Sequence, residues 1–218
     1  MLMLPTMRVL FLVYSLLLTA AYPQAANLPK PDPELPEIMK AWGEAQKGTG
    51  DIEVTFRQTR TIPALKKPVT AAGKFWRFAD GSFRWELGEP EATILVHDLQ
   101  EFRARESADA PWQILEEDDP RYRMWARFLS GRDASPKDLT RNFIVKEAED
   151  SPGVATITLR PKAPFVRRYL RQLDLQISKS TKMLLQLRVI QGDDSVVLMQ
   201  FAKPRAVSAA EKAKLLSR

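Results

Sequence analysis

Between Gly73 and Leu87 the chain reads GKFWRFADGSFRWEL, two aromatic-rich runs joined across Asp80-Gly81. An Asp-Gly pair between apolar runs is the strongest short-range signal for a β-hairpin, because glycine accepts the positive φ such turns demand. On the second arm Phe83, Trp85 and Leu87 share one face and Ser82, Arg84 and Glu86 the other, since strand side chains alternate. This reading places the rings inside and Arg84 and Glu86 in solvent, so the chain must build a sheet with one apolar face.

The same two-residue period recurs. Residues 51–60 alternate Ile52, Val54 and Phe56 with Glu53, Thr55 and Arg57. Further strands are predicted at 92–97, 101–105, 142–147, 154–160, 170–178, 183–191 and 196–202, and their short spacers imply antiparallel neighbours in a meander. With 218 residues, 44% of them hydrophobic, one domain and a monomer are expected.

Other segments carry a different pattern. Residues 1–21 hold Arg8, an apolar run from Val9 to Leu18 and small residues Thr19-Ala20-Ala21, the signature of a secretory signal peptide. The run is too short for a spanning helix, so stable membrane insertion is not expected and export to a periplasm is. A proline-rich leader covers 22–33, the folded domain 34–205 and a helical tail 206–218. Leu35, Ile38, Met39 and Trp42 fall at helical spacing, and Gly48 and Gly50 end that helix. After Glu116–Pro120, PRYRMWARFLSG predicts a short helix in which Met124/Phe128 and Trp125/Leu129 are pairs four apart. The tail SAAEKAKLLSR is polar and either frays or caps the sheet edge.

The chemistry of catalysis is sparse. The chain has one histidine, His97, and no cysteine, and neither a nucleophile elbow nor a glycine-rich phosphate loop is present. His97 reads as a surface residue at a strand end, and no enzyme, cofactor or metal is expected. Arg121, Arg123, Arg127, Arg132, Arg167, Arg168 and Arg171 lie near Trp125 and Tyr169, a composition that can track phosphates, but export argues against nucleic acid. The net charge of +6 is a solubility feature or a mild attraction to anionic surfaces.

A helix followed by VTFRQT (54–59), GKFW (73–76), FRWELGEP (83–90) and TILVHD (93–98) resembles the periplasmic lipoprotein carrier family LolA. So do TLRPK (158–162), LDLQIS (173–178) and QLRVIQGD (186–193), and the resemblance spans about 35–201. It implies a mainly β fold with helices: an open antiparallel half-barrel whose N-terminal helix and short lid helix enclose an apolar cavity. Phe56, Phe83, Trp85, Leu87, Leu173, Leu175 and Leu187 would line that cavity, lidded by Trp125, Phe128 and Leu129. The family's loop arginine and the proline after it fall here on Ala79 and Asp80, so Arg77 or Arg84 is the candidate lid latch. The implied function is a periplasmic chaperone carrying acylated lipoprotein, or other lipidated cargo, from an inner-membrane donor complex to an outer-membrane acceptor. A lipid-sensing or interaction module of the cell envelope is the alternative.

Overall fold

The computed structural model describes residues 36–91, 93–116, 136–147 and 151–217. The signal peptide, the leader and the 120–131 helix with Trp125, Phe128 and Leu129 lie outside the described residues.

The first element is α1 (Glu37–Lys47), followed by β1 (Ile52–Thr61), β2 (Val69–Arg77), β3 (Phe83–Leu87), β4 (Thr93–His97), β5 (Phe102–Arg105) and β6 (Gln113–Leu115). Then come α2 (Pro136–Asn142), β7 (Phe143–Glu147), β8 (Val154–Pro161), the single turn α3 (Pro164–Arg167), β9 (Leu170–Ser178), β10 (Leu184–Gln191) and β11 (Val196–Phe201). The short β12 (Arg205–Ala206) and α4 (Ala209–Leu216) complete the order.

All strand pairs are antiparallel, in one open sheet of order β6-β5-β4-β3-β2-β1-β11-β10-β9-β8-β7, with β12 beside β1. Two meanders, β1–β6 and β7–β11, are joined only where β1 meets β11, in the register Phe56↔Phe201, Gln58↔Met199 and Arg60↔Val197. The fold is a mainly β open half-barrel.

The hairpin forms, with Ala79 as an extra loop residue. Phe78 N–H donates to Ser82 O at 3.0 Å and Gly81 N–H to Phe78 O at 3.0 Å, and Gly81 takes φ 95°. This three-residue loop with glycine in the left-handed position is the next commonest hairpin solution after a two-residue turn. The Asp80 carboxylate accepts from the N–H and hydroxyl of Ser82 and fixes the turn.

The tail neither frays nor caps an edge. Ser208 and Glu211 form a reciprocal capping box that starts α4. Leu215 and Leu216 then pack against the cluster of Trp76, Phe78 and Val207 on the outer face of the sheet. Arg84 donates to Leu215 O at 3.0 Å and Arg103 to Leu216 O, so two cations meet the carbonyl end of the helix dipole. Arg84 and Glu86 are therefore not solvated as their alternation suggested. Their side chains are 13% and 11% exposed and pair at 2.6 Å under the tail helix.

Candidate functional site: the inner face of the sheet

Pairing register decides which strand positions share a face. Val54↔Phe75↔Trp85↔Leu95↔Ala104 forms one continuous row across β1–β5, and Arg77↔Phe83↔His97↔Phe102↔Leu115 forms the row beside it. On the other meander, Met199↔Leu187↔Leu175↔Ile157 and Val197↔Val189↔Leu173↔Leu159↔Val145 run from β11 towards β7. These rows belong to the same face, which we call inner, because Phe56 pairs with both Gly73 and Phe201.

The inner face is apolar in two different ways. Phe56, Phe83, Trp85, Leu95, Phe102, Ala104 and Leu115 form one buried cluster, with Phe75, Leu87, Met199 and Phe201 against it. Its rings pack on each other: Phe56 and Trp85 have centroids 4.4 Å apart, and Phe83 and Phe102 meet edge-on at 5.7 Å. Gly73 makes room, since a Cβ there would lie 2.1 Å from the Phe56 ring. The second cluster is aliphatic: Ile157, Leu159, Leu175, Ile177 and Leu187, closed over by Met39, Ile38 and Trp42 of α1 and by Leu139 of α2.

All seven strand residues expected to line a cavity thus lie on this one face. Phe56, Phe83, Trp85, Leu175 and Leu187 are buried, whereas Leu87 and Leu173 are half-buried. Phe75, Leu95, Phe102, Met199, Phe201, Ile157 and Leu159 join them. Alternation would have found these residues within each strand, but only the register shows that they meet.

The two latch candidates separate. Arg77 lies opposite Phe83 on the inner side and donates to Gln46 Oε1 at 3.3 Å and Gln46 O at 3.1 Å, tying β2 to the end of α1. Burial draws its guanidinium below the usual arginine pKa. Arg84 is on the outer face with α4. His97 is likewise corrected: it is 8% exposed, not at the surface, and stacks on Phe83 at 5.4 Å because register places the two side by side.

The outer face has a charged cleft of about 530 Å³, bordered by Arg57, Lys74, Glu86, Glu89 and Glu91, with both signs of charge interspersed. Among the described residues no group of His, Asp or Glu is arranged to hold a metal ion, and no helix is long and apolar enough to cross a membrane.

The fold is an open antiparallel half-barrel with an apolar inner face and α1 and α2 laid on part of it. The family model of the outer membrane lipoprotein carrier protein LolA matches residues 47–214, and the chain belongs to that family. Proteins of this superfamily are binding or carrier proteins and generally periplasmic. Among curated proteins nothing matches the chain in sequence.

Similar solved structures include the MucA/MucB complex of Pseudomonas aeruginosa, at 13% identity and TM-score 0.43, over 84% of this chain and 60% of that one. A putative outer membrane lipoprotein-sorting protein domain from Vibrio parahaemolyticus matches at 10% identity and TM-score 0.42, over 83% and 97%. LprF from Mycobacterium bovis matches at 14% and 0.42, over 79% and 93%. The chain spans 59% of the MucB chain solved with periplasmic MucA.

Proposed function

We propose that this protein is a non-enzymatic periplasmic carrier that holds the acyl chains of lipidated cargo against its inner face and passes them towards the outer membrane. The observation that supports this most directly is the gathering of rings on one half of that face: Phe56, Phe83, Trp85 and Phe102 pack together along β1–β5, whereas the half along β7–β10 is aliphatic and packed by Met39 of α1. In this reading the aromatic half is the acyl-binding surface, and the aliphatic half is the core that holds the scaffold rigid.

Energetics make release the demanding step. Each methylene buried is worth about 0.8 kcal/mol, so a chain of roughly 14 carbons gains on the order of 11 kcal/mol before ordering costs. A carrier must offset part of this, and a ligand can move a conformational equilibrium only by its differential affinity for the two states. Arg77, linking β2 to α1, is the inner-face contact suited to that role, replacing the latch expected at Ala79. Cargo would be loaded from an inner-membrane donor complex and delivered to an outer-membrane acceptor.

Native mass spectrometry of protein isolated from periplasm tests the reading. A bound acyl-containing mass is expected, and its loss is expected in Leu87→Glu, which puts a carboxylate beside Gly73 on the half-buried edge of the aromatic face. A folded Leu87→Glu protein that retains the same lipid would exclude this surface.

A further inference from the structure

Among the described residues two arginines are buried, and their charges are answered differently. Arg103 donates to Asp98 at 2.7 Å, to Glu101 at 2.6 Å and to Leu216 O, so its charge is answered by two carboxylates and a carbonyl. Arg60 is 6% exposed and joins no ion pair among the described residues; its Nε, like that of Arg103, has no hydrogen-bond partner. Asp193 acts on it only through space, while that carboxylate accepts the Ser195 N–H at 3.0 Å. Burial draws the Arg60 guanidinium below the usual arginine pKa, and Asp193 partly opposes this.

The position is informative. Arg60 lies on the inner side of β1, in line with Gln58, Phe56 and Val54, and about 13 Å from Phe56 at the rise of an extended strand. Across the sheet it follows the row Val197, Val189, Leu173, Leu159 and Val145, five aliphatic residues and then one cation, with Val69 of β2 on its other side. At the β10–β11 turn, two positions before Val197, which faces Arg60 across the sheet, Ser195 is fully buried and its Oγ also lacks a partner. A buried guanidinium with no counter-charge in contact and a buried hydroxyl with no partner are costly to keep, and an oxyanion offers acceptors to both through charge-assisted hydrogen bonds.

We propose that Arg60, with Ser195 of the β10–β11 turn, is a head-group site for an anionic amphiphile, its carboxylate or phosphate held by the guanidinium while its acyl chain runs along β1 over Phe56. This rests on the inner face being the acyl-binding surface, and it narrows the ligand to a fatty acid or an anionic phospholipid rather than a neutral acyl ester. Arg60 sits where the two meanders join, so one ligand can touch both halves of the sheet.

The test is equilibrium binding to the full chain of palmitate, 1-palmitoyl-lysophosphatidylglycerol and uncharged hexadecan-1-ol, read by displacement of a neutral fluorescent dye. The wild-type protein is expected to favour at least one anion over the alcohol by roughly tenfold or more. Arg60→Met should abolish that preference while leaving alcohol binding within about twofold, and Arg60→Lys should retain part of it, because it keeps the charge and loses the fork. Stronger binding of palmitate assigns a free carboxylate, and stronger binding of the lysophospholipid a membrane phosphate. Equal binding of all three by the wild type, or an anion preference that survives Arg60→Met, overturns the head-group site and leaves the acyl surface standing. Failure of the wild type to bind any of them removes both. If Arg60→Met does not fold, the wild-type comparison and Arg60→Lys decide the matter.

Discussion

Among the described residues, the aromatic half of the inner face, built by β1–β6, and the aliphatic half, built by β7–β11, carry their helices on opposite sides of the same sheet. Along the aliphatic half, α1 and α2 lie inside, and Met39 fills the space over Ile157 and Leu175. Along the aromatic half, the helix is outside: α4 covers Trp76 and Phe78, and its last carbonyls are held by Arg84 and Arg103. A strand that is backed from outside can keep its shape while its inner side exchanges contacts. Under the proposed function the aromatic half is the working half of the sheet and the aliphatic half, packed by α1, the supporting one.

The largest effect expected from this division is in the supporting half. Gly192 lies against α3's end, where a Cβ would stand 1.6 Å from Arg168 O, a backbone atom with nowhere to go. Gly192→Ala should cost about 3 kcal/mol or more in urea unfolding, and a loss below about 1 kcal/mol would show that β10 shifts freely there. Met39→Ala should cost about 2 kcal/mol through the cavity left under α1. It should leave dye binding unchanged, whereas weakened binding at intact stability would mean that α1 belongs to the ligand surface.

Gly73→Ala applies the first substitution to the working half, where the obstacle is a ring and can rotate. A smaller loss, about 1 kcal/mol, is expected, with a change in Trp85 fluorescence as Phe56 leaves its 4.4 Å contact. A loss equal to that of Gly192→Ala would end the distinction between the halves.

The smallest effect concerns the outer support. Burial alone would raise the pKa of Asp80, but hydrogen bonds from Lys212 of α4 and from Ser82 outweigh it and hold the value at about 2. A folded pKa below the unfolded one contributes stability that is fully present above about 4 and disappears as pH falls through 2. The Asp80 side chain is 40% exposed, so solvent screens the effect to a small one. Trp76 fluorescence should report loosening of α4 between pH 4 and 2. In Lys212→Met that acid transition should shrink, and an unchanged one would assign it to another group, such as Asp98 beside Arg103.

Alternation along each strand determined by itself which residues travel together, because the side-chain period of a strand is two whatever the strand pairs with. That is why Phe83, Trp85 and Leu87, or Leu173 and Leu175, were legible as common faces. Local chemistry also marked the hairpin at Gly81 and the helix of Met39 and Trp42. Only the tertiary structure decided that β1 pairs with β11, which brings Phe56 to Phe201 and sets Arg60 beside an aliphatic row. Pairing between distant strands depends on the whole sheet closing its hydrogen bonds, and no local pattern encodes it. The same holds for His97, whose place beside Phe83 is a matter of register, and for Arg84 and Glu86. Their charges predicted water, yet a short tail helix with Leu215 and Leu216 as its apolar contacts covers them, because two arginines on the outer face supply the carbonyl partners its last turn lacks.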